Sequence, residues 1–242
     1  MIAYHPVVVH TTETRKESVA RARDTVDQFE RLNDIRPQLL TTADFPKEVN
    51  KYWYFLWVWD MVPDDVEYIM VLDSKVLPIR TLPPLPELKF AAVMDRHDRV
   101  NQGMYHSEVI KQTQKYFQMH MFVAHRDTRV AFDKVKLLEG TPKFEKQGGL
   151  GFDGRACYTP LNEEIQSRFE VHELPREWNW NITYEKQYYY DYPYMINFNA
   201  NEHGTWAYHR YVKHLTERIE AFGGNLDGPP TPGWVAHPRD AK

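Results

Sequence analysis

A single cysteine, Cys157, leaves no partner for an internal disulfide in the 242-residue chain and fits a reducing compartment. No apolar run approaches the roughly 20 residues that a membrane span needs. Met1 to Val9 is too short and too lightly charged for a secretory signal. A soluble, cytoplasmic protein is the expectation. The net charge of −4 argues against a protein that coats nucleic acid non-specifically. The loop after the first apolar run, His10 to Arg15, contains no glycine, so neither a dinucleotide-binding turn nor a P-loop is indicated there.

Aromatic residues are abundant: 15 Tyr, 12 Phe and 7 Trp make up 14% of the chain. Such rings fill cores and also line sugar and base sites. Charge is unevenly spread. From Asp95 to Lys146 ten Lys/Arg face seven Asp/Glu with four His besides, a mild basic bias that suits a solvated surface or a polyanionic partner. The length fits one large domain or two small ones.

The run Tyr68-Ile69-Met70-Val71-Leu72 reads as a buried strand that stops on Asp73, with Pro78 preventing the ladder from continuing. A carboxylate at the carboxyl end of a central strand points into the crevice where open α/β sheets bind ligands. A strand-terminating turn whose Asp caps a nearby amide reads equally well. Upstream, Pro6 to Val9 is a short strand. Thr14 is a plausible N-cap for a helix carrying Val19, Ala22, Val26 and Phe29. Hydroxyl residues in the intervening loop can hold a nucleotide through backbone amides and the helix N-terminus.

Gln38 to Thr41 is a second strand, and Glu48 to Met61 an aromatic helix buried nearly all round. Phe90 to Met94 is a strand ending on Asp95, which would place a second carboxylate at the same sheet edge if the two strands are neighbours. Gln102 to Tyr116 and Thr128 to Leu138 read as helices, with Met119 to Val123 a strand between them. Four glycines surround Asp153 in Gly148 to Gly154, a loop suited to close approach to a ligand. Pro160 sits in the first turn of a helix. Phe169 to Leu174 reads as a strand, Met195 to Asn199 as a half-buried strand and Tyr208 to Phe222 as a last helix. The expected architecture is α/β: one domain over 1–225 with a mostly parallel central sheet and helices on both faces, a nucleotide-binding half over 1–100 and an acceptor-side half over 101–225. An extended Pro/Gly-rich tail follows over 226–242.

The order of these pieces resembles a GT-A glycosyltransferase, closest to family 8, the retaining glycogenin and galactosyltransferase group. Val9-His10-Thr11-Thr12 is similar to its nucleotide loop, and Lys51 to the Lys near the start of its aromatic helix. Asp73-Ser74-Lys75 stands where its Asp-x-Asp motif stands. Phe152-Asp153-Gly154-Arg155 with Leu161-Asn162 resembles its Asp-Gln…Leu-Asn segment, and Leu174-Pro175 with Trp178-Asn179-Trp180-Asn181 its Leu-Pro…Trp-Asn phrase. Glu202-His203-Gly204 stands where a C-terminal His completes its metal site. Two departures are plain: Lys75 replaces the last Asp of the motif, and Met119-His120-Met121 replaces the family's Asn-Ser-Gly strand.

The resemblance implies transfer of a sugar from a nucleotide-diphosphate sugar, with a UDP-sugar the first choice. Thr11, Thr12, Arg15, Lys51, Asp73 and Ser74 would hold the nucleotide sugar. Asp73 and His203 would hold a divalent metal (Mn²⁺ or Mg²⁺), with Lys75 on the diphosphate and Asp153 at the sugar or acceptor. Trp178 and Asn179 would shape the acceptor face. The acceptor hydroxyl belongs to a glycan or small molecule, or to a modified DNA base. Two other readings stand beside this one: an inactive nucleotide-sugar-binding protein, and a nucleotidyltransferase or hydrolase using Asp73 and Asp95.

Overall fold

The first strand, β1 (His5–Val9), buries Val7, Val8 and Val9 completely. It belongs to a computed structural model that describes residues 2–10, 16–49, 51–94, 108–138, 158–181 and 193–197. The helix that follows, α1 (Lys16–Asn33), turns Ala22, Val26 and Phe29 inward at three- and four-residue spacing. It closes at Asp34, which takes φ 55° and donates its N–H to the Glu30 carbonyl at 2.8 Å. The strand β2 (Gln38–Leu40) then pairs parallel to β1.

The aromatic segment differs from the expected single helix. Lys51–Trp57 is a 3₁₀ coil that runs into only one α-helical turn, α2 (Val58–Met61). Trp53, Tyr54, Phe55, Leu56, Val58 and Trp59 are all buried. Rings and β-branched groups lose rotamer freedom against an α-helical turn. Burying side chains all round this segment therefore overrides local helix preference.

β3 (Tyr68–Asp73) is buried along its whole length and lies beside β1, Val9 opposite Asp73. The ladder ends at the turn through Ser74 and Lys75, not at Pro78. The chain resumes as β4 (Val76–Pro78), in which Pro78 is the last residue and faces Met195 of a second sheet. β5 (Phe90–Met94), α3 (Glu108–Thr113), β6 (Phe117–His125), α4 (Arg129–Lys136), α5 (Tyr158–Arg168) and β7 (Val171–Leu174) follow. After a 3₁₀ turn at Arg176–Trp178 come β8 (Trp180–Asn181) and β9 (Met195–Asn197).

The main sheet has the order β2-β1-β3-β6-β5-β7. Its pairs are parallel except those of β6, which runs antiparallel to both β3 and β5. β5 is therefore not a direct neighbour of β3, but both run antiparallel to β6, so their carboxyl ends still open on the same edge of the sheet with β6 between them; Asp95 itself lies outside the described residues. One face packs on α1 through Val8, Val26, Phe29, Met70 and Leu72. The other packs on the aromatic segment, α4 and α5 through Trp53, Phe55, Phe132, Val135, Leu161 and Ile165. Helices on both faces are what the alternating pattern implied.

A smaller sheet, β4-β9-β8, stands apart from the main one. Met195, Ile196 and Asn197 are all buried, so β9 is an interior strand and not the half-buried one its pattern indicated. Among the described residues no helix is long and apolar enough to cross a membrane.

Candidate functional site

The chain leaves β1 through α1 to reach β2 on one side, then returns past β1 to form β3 on the other. β1 and β3 thus flank the point where strand order reverses, and their carboxyl ends open the crevice in which such sheets bind ligands. Val9 and Asp73 mark that edge.

Three links hold the edge together. The Ser74 N–H donates to the Val9 carbonyl at 3.0 Å, and the His10 N–H donates to the Leu40 carbonyl at 2.8 Å. His10 Nδ1 lies 3.2 Å from Ser74 Oγ across 64 positions of sequence. All three side chains of the edge, His10, Asp73 and Ser74, are buried.

Asp73 is engaged within its own turn. Its Oδ1 accepts the Lys75 N–H at 2.9 Å, and its Oδ2 lies 3.7 Å from the Lys75 ammonium. The capping turn weighed for this residue is thus present, and it coexists with the position at the ligand crevice. The Lys75 side chain is 24% exposed against 4% for Asp73, so the cation is the reachable member of the pair.

β6 forms the far wall. Its pairing with β3 runs out at Leu72 opposite Met121, so Phe117 to His120 extend past the last paired residue of β3. Against β5 the register breaks here: the two-position step from Ala92 to Met94 is matched by a five-position step on β6, from Phe122 back to Phe117. Bulges of this kind bend a strand and re-aim its side chains, often beside sites. Gln118 in the bulge accepts a hydrogen bond from Asn179 Nδ2 at 2.7 Å.

The small sheet continues the same edge beyond Lys75. Val76 faces Asn197, which in turn faces Asn181. Asn197 is fully buried, and among the described residues neither of its amide atoms has a hydrogen-bond partner. The Oδ1 of Asn179 is in the same state. Buried carboxamides without partners are costly, which is a reason to expect polar contacts at this edge.

Of the residues singled out from sequence, the structure brings Asp73, Ser74 and Lys75 to the crevice and Asn179 to its β6 wall. Trp178 is buried among Leu174, Val93 and Met195, its ring 5.6 Å from that of Tyr194, so it supports the wall from within. Lys51 begins the 3₁₀ coil, but its side chain lies outside what is described. Thr11, Thr12, Arg15, Asp153 and His203 lie outside the described residues altogether.

Three residues at this edge were not singled out as site residues. His10 abuts the Thr loop, and its buried contact with Ser74 depends on the β1–β3 register. Asn197 interrupts an apolar strand, a signal that could have been read as a buried polar position. Gln118 lies within a strand whose bulge no periodicity discloses.

The described residues around Asp73 do not by themselves make up a divalent-cation site, and His203, the other expected ligand, lies outside them. Asp73 is the single carboxylate in its turn, and both of its oxygens face Lys75. No group of three or more His, Cys, Asp or Glu placed to hold a metal occurs among the described residues.

The fold has solved counterparts. One is a glycosyltransferase involved in glycosylation of the major capsid of PBCV-1, with TM-score 0.53 and 12% identity over 90% of this chain and 100% of that one. The galactosyltransferase LgtC, in complex with donor and acceptor sugar analogues, superposes with TM-score 0.56 and 11% identity over 88% and 95%. Mouse xyloside xylosyltransferase 1 gives 0.50 and 11% over 83% and 99%. At these identities the likeness is one of fold. No family model and no curated protein matches the chain.

Proposed function

We propose that the protein is a glycosyltransferase that moves a sugar from a nucleoside-diphosphate sugar, a UDP-sugar by first choice, to the hydroxyl of a glycan or small molecule. The observation that carries this is Asp73, Ser74 and Lys75 in one turn at the β1–β3 switch point, in a fold shared with proteins that catalyse such transfers. In the reaction the bond between the sugar anomeric carbon and the diphosphate oxygen breaks, and the diphosphate leaves with the electron pair. A bond to the acceptor oxygen forms, and the acceptor proton is released. Stabilising the leaving diphosphate and holding the sugar are therefore what the protein must supply.

The assigned roles follow the chemistry of each group. Ser74 and the loop residues Thr11, Thr12 and Arg15, with Lys51, hold the nucleotide. Lys75 places an ammonium on the diphosphate oxygens, a charge-assisted contact. Asp73 fixes the turn and orients Lys75. Asp153 contacts sugar or acceptor, and Asn179, backed by Trp178, shapes the acceptor face.

A thermal-shift screen of nucleotide sugars tests the reading. A ligand at 100 times its Kd adds about 2.7 kcal/mol to native stability, or roughly 5–11 °C in Tm for a chain of this size. Asp73→Ala should abolish the shift, and an unchanged shift overturns the site. Product analysis separates reaction classes, since a nucleotidyltransferase releases pyrophosphate where a glycosyltransferase releases a nucleoside diphosphate.

A further inference from the structure

We infer that this chain binds the donor diphosphate without a divalent cation, the Lys75 ammonium standing where a metal ion would bridge carboxylate and phosphate. The inference rests on the donor-site reading above and deepens it.

The geometry of the turn is the ground for it. An ion bridging Asp73 and a diphosphate would sit about 2.0–2.6 Å from a carboxylate oxygen. That space is already shared with a cation, since Lys75 Nζ is 3.7 Å from Oδ2 while the Lys75 N–H occupies Oδ1. The two groups are two positions apart in one turn, so the ammonium is tethered at the carboxylate.

Charge balance points the same way. The carboxylate and the ammonium neutralise one another, so the turn itself offers no net negative charge to draw a divalent ion before the nucleotide arrives. Among the described residues no group of three or more His, Cys, Asp or Glu is placed to hold a metal. An ammonium carries three N–H donors and no acceptor. At 3.7 Å from Oδ2 the ammonium is ion-paired with Asp73, which leaves its donors for phosphate oxygens, and the partial exposure of Lys75 keeps them reachable from solvent.

The test is calorimetric titration of the full chain with UDP and with GDP, in excess EDTA and again in Mn²⁺. The expected result is a nucleotide Kd in EDTA within about threefold of that in Mn²⁺. Lys75→Met should weaken binding in EDTA by about 10–100-fold, the range for losing a hydrogen bond to a charged group. Lys75→Arg, which keeps the cation, should retain binding and shows that the fold survives change at this position. Lys75→Asp should lose binding in EDTA and recover it in Mn²⁺.

Wild-type binding that appears only with Mn²⁺ overturns the inference and leaves the donor site standing. Equal binding by Lys75→Met and wild type in EDTA overturns the role of Lys75. Absence of binding by either nucleotide under both conditions overturns the donor-site reading, and the inference with it.

Discussion

Asn162 makes three hydrogen bonds from one buried side chain, and its removal should be felt throughout the β6 wall. It is fully buried on α5. Its Oδ1 accepts the Phe117 N–H at 2.8 Å. Its Nδ2 donates to the Phe117 carbonyl at 3.3 Å and to the Tyr158 carbonyl at 2.9 Å. The side chain thus pairs with the first residue of β6 as another strand would. Asn162→Ala removes all three bonds and leaves the Phe117 N–H and C=O buried without these partners. Each such group costs about 1–3 kcal/mol, so the total lies at about 2–6 kcal/mol. A central loss of roughly 3–4 kcal/mol lowers Tm by roughly 6–16 °C in a chain of this size. Urea unfolding followed by tryptophan fluorescence measures it, and hydrogen exchange at the Phe117 amide should accelerate in parallel. Asn162→Asp keeps an acceptor for Phe117 but sets a carboxylate against two carbonyls, so it should cost at least as much. A loss under about 1 kcal/mol for Asn162→Ala would refute the view that this side chain anchors β6.

Two titrations give further checks. Burial pushes the Tyr4 phenol up to about 12. Its neutral form is therefore favoured by folding: that contribution is complete below the ordinary value of about 10 and is lost as pH rises through about 12. Burial and the nearby Glu67 carboxylate also raise the Tyr68 phenol. Ultraviolet difference titration should therefore show late-ionising tyrosine that Tyr4→Phe removes in part, and Tyr4→Phe should reduce the fall in stability above pH 10. Against the burial that pushes it up, hydrogen bonds from Lys134 and Arg168 hold the Glu164 carboxyl below its ordinary value. Its stabilisation is present above the unfolded value and lost as pH falls through the folded one. Glu164→Gln should flatten the acid limb of a stability–pH curve, and an unchanged slope would show that the pair with Lys134 is inert.

Much of the fold was legible from local pattern. Val7 to Val9 and Ile69 to Leu72 are apolar runs rich in β-branched residues, which a buried strand accommodates. The spacing of Ala22, Val26 and Phe29 placed the inner face of α1 correctly. The stop at Asp73 marked the edge on which the site stands, because a buried strand cannot continue through an ionised side chain without a partner. Those features depend on a few consecutive residues, so the chain alone determines them.

Tertiary structure decided the rest. Alternation does not encode strand direction, so the reversal of β6 between β3 and β5 has no local signature. The 3₁₀ path of Lys51–Trp57 is set by packing on all sides, against the periodicity of an α-helix. Pro78 reads as a breaker, yet it ends a strand in another sheet because Met195 lies opposite it. The same holds at the site. Asp73 and Lys75 are near in sequence, but whether the lysine faces solvent or its own carboxylate depends on how the turn folds against β1. His10 meets Ser74 only because Val9 registers with Asp73. The chain by itself determined which charged groups reach the crevice edge; the packing of β1 on β3 decided that a carboxylate and an ammonium meet there, because only that contact buries the one and leaves the other within reach.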